Sequence, residues 1–379
     1  MKVVKKINYK KIDIAILFIV TILICVGLFC SRQAYMFRID KNIMFVKQIM
    51  GVTLGYILMF LVMIIDYKII CKFSFPFYIA INLTLAYTLL FGTNLNGVKR
   101  WITIFGFQIQ PSEITKVVII LFLAFLCNHF KNKTDKFYVL FLQTIAVLIP
   151  MILIFLEPHL SSCIALLFIF FIQIYASGLS YKLIGKVIAV VIPIAIIILI
   201  SVTQFNVNIP FIQKYQIKRV TSFMSSDESE DLSGNYQQNQ SLNAIASGGL
   251  NGKLISINAS NRQYDDIYAK ESDFVFAIVG EEFGFIGSFI IVILYSILII
   301  KCLIISARAS DYVGKLICIG VSAYVMFQFF VNVGVAITLL PNTGLPLPFI
   351  SSGLTSLVSS MIAIGLVLNV QLREKVTNK

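Results

Sequence analysis

Ten stretches of the 379-residue chain are apolar for long enough to cross a bilayer, and this leaves few folds open. They lie near 13–30, 44–65, 73–92, 110–128, 137–156, 160–177, 183–203, 273–304, 312–336 and 350–371. A hydrocarbon core of about 30 Å calls for roughly 20 apolar residues in helical form. Inside lipid, only a helix or a closed barrel satisfies its own backbone. Composition agrees: 58 % of residues are hydrophobic and 13 % charged, against about 25 % charged in a typical soluble domain. A soluble fold could not bury that much apolar surface. Soluble enzymes, nucleic-acid modules and disordered chains are excluded. The expectation is an all-α integral membrane protein of ten transmembrane helices, one polytopic domain over residues 1–379.

The first run follows a lysine-rich start and lacks a small-x-small cleavage site, so it reads as an anchor rather than a cleaved signal. Seven cysteines without a CxxC pair imply neither a disulfide framework nor a thiolate metal site, and two histidines exclude a His-rich one. The net charge of +13 reflects topology. With the N-terminus inside, the inward segments hold eighteen Lys and Arg; the short outer ones hold six: Arg32, Arg38, Lys41, Lys47, Lys99 and Arg100. Both termini are therefore expected in the cytoplasm. One connection breaks the pattern of short turns: residues 204–272, between spans 7 and 8, form a large polar loop on the outer side. A loop of that length without a task is uncommon, and its aromatic residues argue against full disorder.

Ionisable residues within spans call for a functional explanation. Four constellations carry them or break the helix, all at the outer face. Asn96-Gly97-Val98-Lys99-Arg100-Trp101 precedes Gln110-Pro111-Ser112-Glu113 and Lys116. Pro111 suits a first helical turn, with Glu113 near the positive helix end. Lys116, about a turn and a half inside, needs a carboxylate partner, and Glu113 lies three residues away. Trp101, the only tryptophan, suits an interfacial anchor. Glu157-Pro158-His159 forms a tight outer hairpin in which His159 reads as a polar turn residue. Glu271-Ser272-Asp273 opens span 8; Ser272 or Asp273 could cap it, or Asp273 could act in catalysis. Glu281 and Glu282 follow deeper in that span, and a structural role suits both. Finally, the prolines and glycines of 341–353 break any helix at membrane depth, which requires burial in protein or a wet cavity. A cleft lined by cations, a carboxylate and broken backbone suits a lipid with an anionic head group.

These motifs, in this order, resemble the SEDS family of shape, elongation, division and sporulation proteins (RodA-, FtsW- and SpoVE-like). The resemblance rests on Asn96-Gly97 with Arg100-Trp101-Ile102, Gln110-Pro111-Ser112-Glu113 with Lys116, Asp273 to Ala277 with Glu281-Glu282 and Gly284, and Thr343-Gly344 with Leu347 to Ser351. In the loop it rests on Tyr215-Gln216, Arg219, Ser222-Phe223 and Ser247-Gly248-Gly249-Leu250.

The resemblance implies ten spans in the bacterial cytoplasmic membrane and polymerisation of lipid II into glycan strands at the outer face. It implies a class B penicillin-binding transpeptidase as partner, besides membrane lipids, and no nucleic acid. It places the family's essential aspartate on Asp273 and its partner lysine on Lys116. Trp101, Arg100, Lys99, Arg219, Glu113 and Ser351 are the expected substrate-binding residues. Going from an α-linked donor to a β-linked product calls for one inverting displacement, with Asp273 as base and Lys116 keeping it ionised. The pyrophosphate would be met by Arg100, Lys99 and Arg219, with or without Mg²⁺ or Mn²⁺; no metal ligand is assigned and no organic cofactor is implied. The chain departs from the family pattern at His159, where an acid is usual, at Ser161-Ser162, at Leu254 to Ile257 and at Ser351 to Thr355. Two alternatives stand beside the polymerase: a precursor flippase using Glu113, Glu281 and Glu282, and a non-catalytic scaffold for a transpeptidase.

Overall fold

The computed structural model describes residues 12–36, 38–95, 98–104, 106–131, 136–179, 234–254 and 262–373. Nine of the ten expected spans fall there, and all nine are helical. The seventh, 183–203, lies outside the described residues. In chain order the helices are α1 (Ile14–Ala34), α2 (Lys41–Ile64), the short α3 (Tyr67–Lys72), α4 (Ser74–Phe91), α5 (Pro111–His129), α6 (Phe137–Leu156), α7 (Leu160–Ala176), α8 (Gly234–Ser247), α9 (Val275–Arg308), α10 (Tyr312–Ala336) and α11 (Leu354–Leu372). Eight of the described helices are long and apolar enough to cross a membrane, and α7 is a shorter apolar helix.

The helical reading is interrupted once. Between α4 and α5 the chain forms an antiparallel meander of β1 (Thr93–Leu95), β2 (Val98–Ile104) and β3 (Phe107–Ile109). Trp101 stands opposite Thr93, and Ile102 opposite Ile109. The segment alternates polar and apolar residues around Gly106, whose φ of +78° makes the hairpin turn. Thr355 fastens the meander to α11: its hydroxyl accepts the Gln110 N–H at 3.0 Å and donates to the Gln108 carbonyl at 3.4 Å.

Burial sorts the helices. α5 and α11 each bury 78 % of their most apolar stretch, whereas α2 buries 22 % and α9 28 %. The first pair, with α10, forms the centre of the bundle; α2 and α9 present Ile57, Phe60, Phe285 and Phe289 outward as a lipid-facing surface does. Small residues bring backbones together, as membrane bundles require. A Cβ on Gly365 of α11 would lie 2.7 Å from the Met59 carbonyl of α2, and one on Gly27 of α1 2.7 Å from the Phe349 and Ile350 carbonyls.

At the bundle end away from the broken segment, Asp311 binds the Lys68 ammonium at 2.6 Å, the Tyr67 hydroxyl at 2.7 Å and the Gly314 N–H at 2.9 Å. Burial raises its pKa, but these donors outweigh burial and the net shift is downward.

Candidate functional site

The site lies where the broken segment 341–353 meets the turn before α9. Pro341, Pro346 and Pro348 keep that segment out of helix. Leu345, Leu347, Phe349 and Ile350 are buried in protein, as broken backbone at this depth requires. Phe349 has a φ of +68°, a strained value for a bulky residue.

Two elements, α10 and the broken segment, converge on the backbone around Asp273. The Asn332 amide, from α10, donates to the Asp273 carbonyl at 3.0 Å and to the Leu345 carbonyl at 2.8 Å. The Ser351 hydroxyl donates to the Ser272 carbonyl at 2.6 Å and accepts the Leu347 N–H at 2.8 Å. The Ser352 N–H reaches the Glu271 carbonyl at 2.8 Å. Gly344, at φ +70°, passes so close that a Cβ would lie 3.3 Å from Asp273 Oδ2. Neither Ser272 nor Asp273 is the N-cap residue of α9: that position is Phe274, which makes no side-chain cap bond. The Ser272 hydroxyl instead donates back to Ala269.

Lys116 and Glu113 sit on the inner face of α5 and are completely buried. Pro111 occupies the first turn, with Glu113 beside it. The Lys116 ammonium bonds Glu113 Oε1 at 2.6 Å and lies 5.9 Å from the centre of the Tyr324 ring. Glu113 Oε2 accepts from Gln328 of α10 at 3.2 Å. The carboxylate that Lys116 meets is thus Glu113; toward Asp273 the connection runs along α10, because Gln328 and Asn332 stand one turn apart. Sequence reasoning named neither amide, yet two amides four residues apart in an apolar run were the available signal.

The remaining expected residues fall into three groups. Ser351 is a buried staple of the cradle. Lys99 is exposed and donates to the Leu90 carbonyl at 2.9 Å, at the end of α4. Half-buried Arg100 donates to the carbonyls of Glu157 (2.9 Å) and Pro158, clasping the α6–α7 hairpin. Trp101 is half-buried in β2. Arg219 and the Asn96-Gly97 pair lie outside the described residues. His159 stands in the α6–α7 turn, as expected of a polar turn residue, and is buried there with Nδ1 3.3 Å from the Ser112 hydroxyl.

Glu281 and Glu282 have structural partners. Glu281 accepts the N–H groups of Gln263 and Tyr264, both at 2.9 Å, and pairs with Lys253. Glu282 pairs with Arg262 at 2.9 Å and accepts the Tyr264 hydroxyl at 2.7 Å. Just after them the apolar run 273–304 breaks at Gly284 (φ +65°, ψ −165°), so α9 is two helices joined at a kink. The segment 248–254 inserts there: Phe285 and Ile286 donate to the carbonyls of Gly249 and Leu250, while Lys253 and Leu254 donate to those of Glu281 and Glu282. The Phe285 and Ile286 N–H groups and the Glu281 and Glu282 carbonyls at the kink are thus met within protein.

Known proteins are similar to this chain over nearly its whole length. The family described as "Cell cycle protein", that of FtsW, RodA and SpoVE, matches residues 11–376. Stage V sporulation protein E of Bacillus subtilis is 30 % identical over 367 residues, covering 94 % of this chain and 96 % of its own. The probable peptidoglycan glycosyltransferase FtsW of Geobacter metallireducens is 28 % identical, covering 98 % of each chain. Among solved structures, a chain of a peptidoglycan synthase complex that coordinates polymerization and crosslinking superposes with a TM-score of 0.77 at 24 % identity, covering 95 % of this chain and 97 % of that one. Thermus thermophilus RodA superposes at 0.67 with 23 % identity, covering 96 % and 98 %. Their fold is the one described here, and with a family match spanning nearly the whole length, the chain belongs to the FtsW, RodA and SpoVE family of cell cycle proteins.

Proposed function

We propose that the protein polymerises lipid II into glycan strands by inverting glycosyl transfer, with both termini in the cytoplasm and the Asp273 site at the outer membrane face. The observation that carries this reading is the cradle of Asp273. Its backbone is fixed from α10 and from the broken segment. A general base needs this kind of positioning before it needs a tuned pKa.

In the proposed step, Asp273 takes the proton from the acceptor sugar's 4-hydroxyl as that oxygen attacks the donor's anomeric carbon, and the lipid pyrophosphate leaves from the opposite face. Lys116 acts as a positioning residue: paired with Glu113, it fixes α10 and through Asn332 the Asp273 backbone. Lys99 and Arg219 are the proposed cations for the departing pyrophosphate. Arg100 holds the α6–α7 hairpin and lends its charge from there, and Trp101, in the neighbouring position of β2, is a proposed substrate contact. Among the described residues no group of three or more His, Cys, Asp or Glu could hold a metal ion. Were a divalent ion to take part, Asp273 would be the residue to hold it, and the ion would supply charge stabilisation for the departing pyrophosphate.

A penicillin-binding transpeptidase is the proposed partner; this draws support from the similar chain that works in a polymerising and crosslinking complex. A flippase would ask Glu113, Glu281 and Glu282 to relay protons, but each is engaged in an ion pair, which favours the polymerase. The test is purified protein with lipid II, with and without the transpeptidase and Mn²⁺ or Mg²⁺, read as polymer on a gel. Wild type should make polymer and Asp273→Asn none. Polymer from both would remove Asp273 from its role; none from wild type under any pairing would leave the scaffold reading.

A further inference from the structure

A cavity of about 630 Å³ opens at the bundle end away from the broken segment, within the size range of ligand pockets. Leu303 and Ser306 line it from the end of α9, Tyr312, Lys315 and Ile319 from the start of α10, and Lys131 from just beyond α5. Its walls are tied together. The Ser306 hydroxyl donates to the Lys315 carbonyl at 3.0 Å, joining α9 to α10, and the Tyr312 hydroxyl donates to the Ser177 carbonyl behind α7 at 2.7 Å. The Lys131 ammonium lies over the Tyr312 ring, 4.9 Å from its centre, a contact that positions the charge without neutralising it.

Charge accounting narrows the occupant. The described carboxylates at this end are all engaged. Asp13 pairs with Lys301 at 2.7 Å and Asp66 with Arg373 at 3.4 Å. Asp311 also lines the cavity, but it is held by Lys68, Tyr67 and the Gly314 N–H. Asp135 and Glu374 lie outside the described residues. Lys72, Lys131, Lys136, Arg308 and Lys315 are exposed and have no carboxylate partner among the described residues. The surplus at this end is positive, as suits an anionic membrane surface, and two of its cations, Lys131 and Lys315, stand in the cavity.

The other side of the cavity runs into lipid-facing surface. Leu303 belongs to a stripe of exposed α9 residues at helical spacing, with Ile293, Ile297, Ile300 and Ile304. From Ile293 to Ile304 the helix rises about 16 Å, close to one leaflet of a hydrocarbon core of about 30 Å. A soluble anion would use the lysines alone, whereas an amphiphile uses the lysines and the stripe together. We propose that this cavity seats an anionic glycerophospholipid of the cytoplasmic leaflet, with the head-group phosphate between Lys131 and Lys315 and an acyl chain along α9. The seat lies at the opposite end of the bundle from the Asp273 cradle, so it stands whether or not that cradle polymerises lipid II.

The test uses the full-length protein in detergent, with phosphatidylglycerol as the probe, read by native mass spectrometry. Phosphatidylethanolamine of the same acyl chains, whose own ammonium cancels its phosphate, should bind about tenfold more weakly or less. Lys131→Gln with Lys315→Gln should weaken phosphatidylglycerol binding about tenfold or more, as expected for two lost charge-assisted contacts. Lys131→Arg with Lys315→Arg should retain it. Lys72→Gln with Lys136→Gln removes two cations of the same end that do not line the cavity, and should leave binding within about threefold of wild type. Unchanged binding in the Lys131 and Lys315 Gln pair, or equal binding of phosphatidylethanolamine, would overturn the assignment. So would an equal loss in the Lys72 and Lys136 pair, which would show a diffuse surface charge rather than a seat. Displacement by glycerol 3-phosphate at equal concentration would show a site for soluble anions and would overturn the lipid.

Discussion

Asn332 is the residue on which the site turns, because one amide group holds two carbonyls from different elements, those of Asp273 and Leu345. A lone carboxylate at a span opening was legible in the sequence; what held it was not, since Asn332 and Ser351 lie 59 and 79 residues from their partners. A second residue carries a measurable signature. Glu157, in the α6–α7 turn, is 1 % exposed, and neither carboxylate oxygen has a hydrogen-bond partner. Burial lifts its pKa to about 8, with Arg100 pulling the other way. The folded chain then keeps a proton that the unfolded chain gives up above about 4.5. Stability from this group accordingly falls as pH rises between those two values. Glu157→Gln should melt higher than wild type at pH 8 and close to it at pH 4.5, read by thermal unfolding in detergent. A parallel pH dependence in both proteins would contradict the assignment.

Among the elements, α9 differs most from its sequence. The run 273–304 is apolar throughout enough of its length to read as one span. Hydropathy does not show where such a run bends, because Gly280, Gly284 and Gly287 all lie within it. The bend falls at Gly284 because segment 248–254 docks there and exchanges backbone hydrogen bonds with both halves. Gly252, at φ +77°, sits against it: a Cβ on Gly284 would lie 2.3 Å from the Gly252 nitrogen. Gly284→Ala should therefore cost at least the 1–3 kcal/mol of a glycine-only conformation, lowering thermal stability and polymer yield together. Gly106→Ala, at a hairpin glycine with open space around it, serves as the control: it shares the positive φ without the clash and should lose less. Equal losses would show that the docked segment does not depend on the close approach.

Across the whole molecule, the buried ion pair within α5 is tied to α10 through Gln328, and α10 in turn carries Asn332. Removing one partner of such a pair costs about 3–5 kcal/mol, because a charge is left buried alone, whereas replacing both with neutral groups of similar size is often near neutral. Lys116→Met should then be strongly destabilised, and Lys116→Met with Glu113→Gln should recover most of the melting temperature. If Lys116 acts by positioning, the double variant recovers part of its polymerase activity with its stability. Recovery of stability with no recovery of polymer would assign Lys116 a direct role at the reacting atoms. The membrane class, the nine spans within the described residues and the family motifs could all be read from the chain, because lipid imposes length and hydrophobicity locally, residue by residue. The carboxylate bound by Lys116, the amides that hold Asp273 and the kink at Gly284 came only from tertiary structure. Each depends on groups distant in sequence, and a polar side chain inside a membrane protein takes whichever partner packing brings within reach.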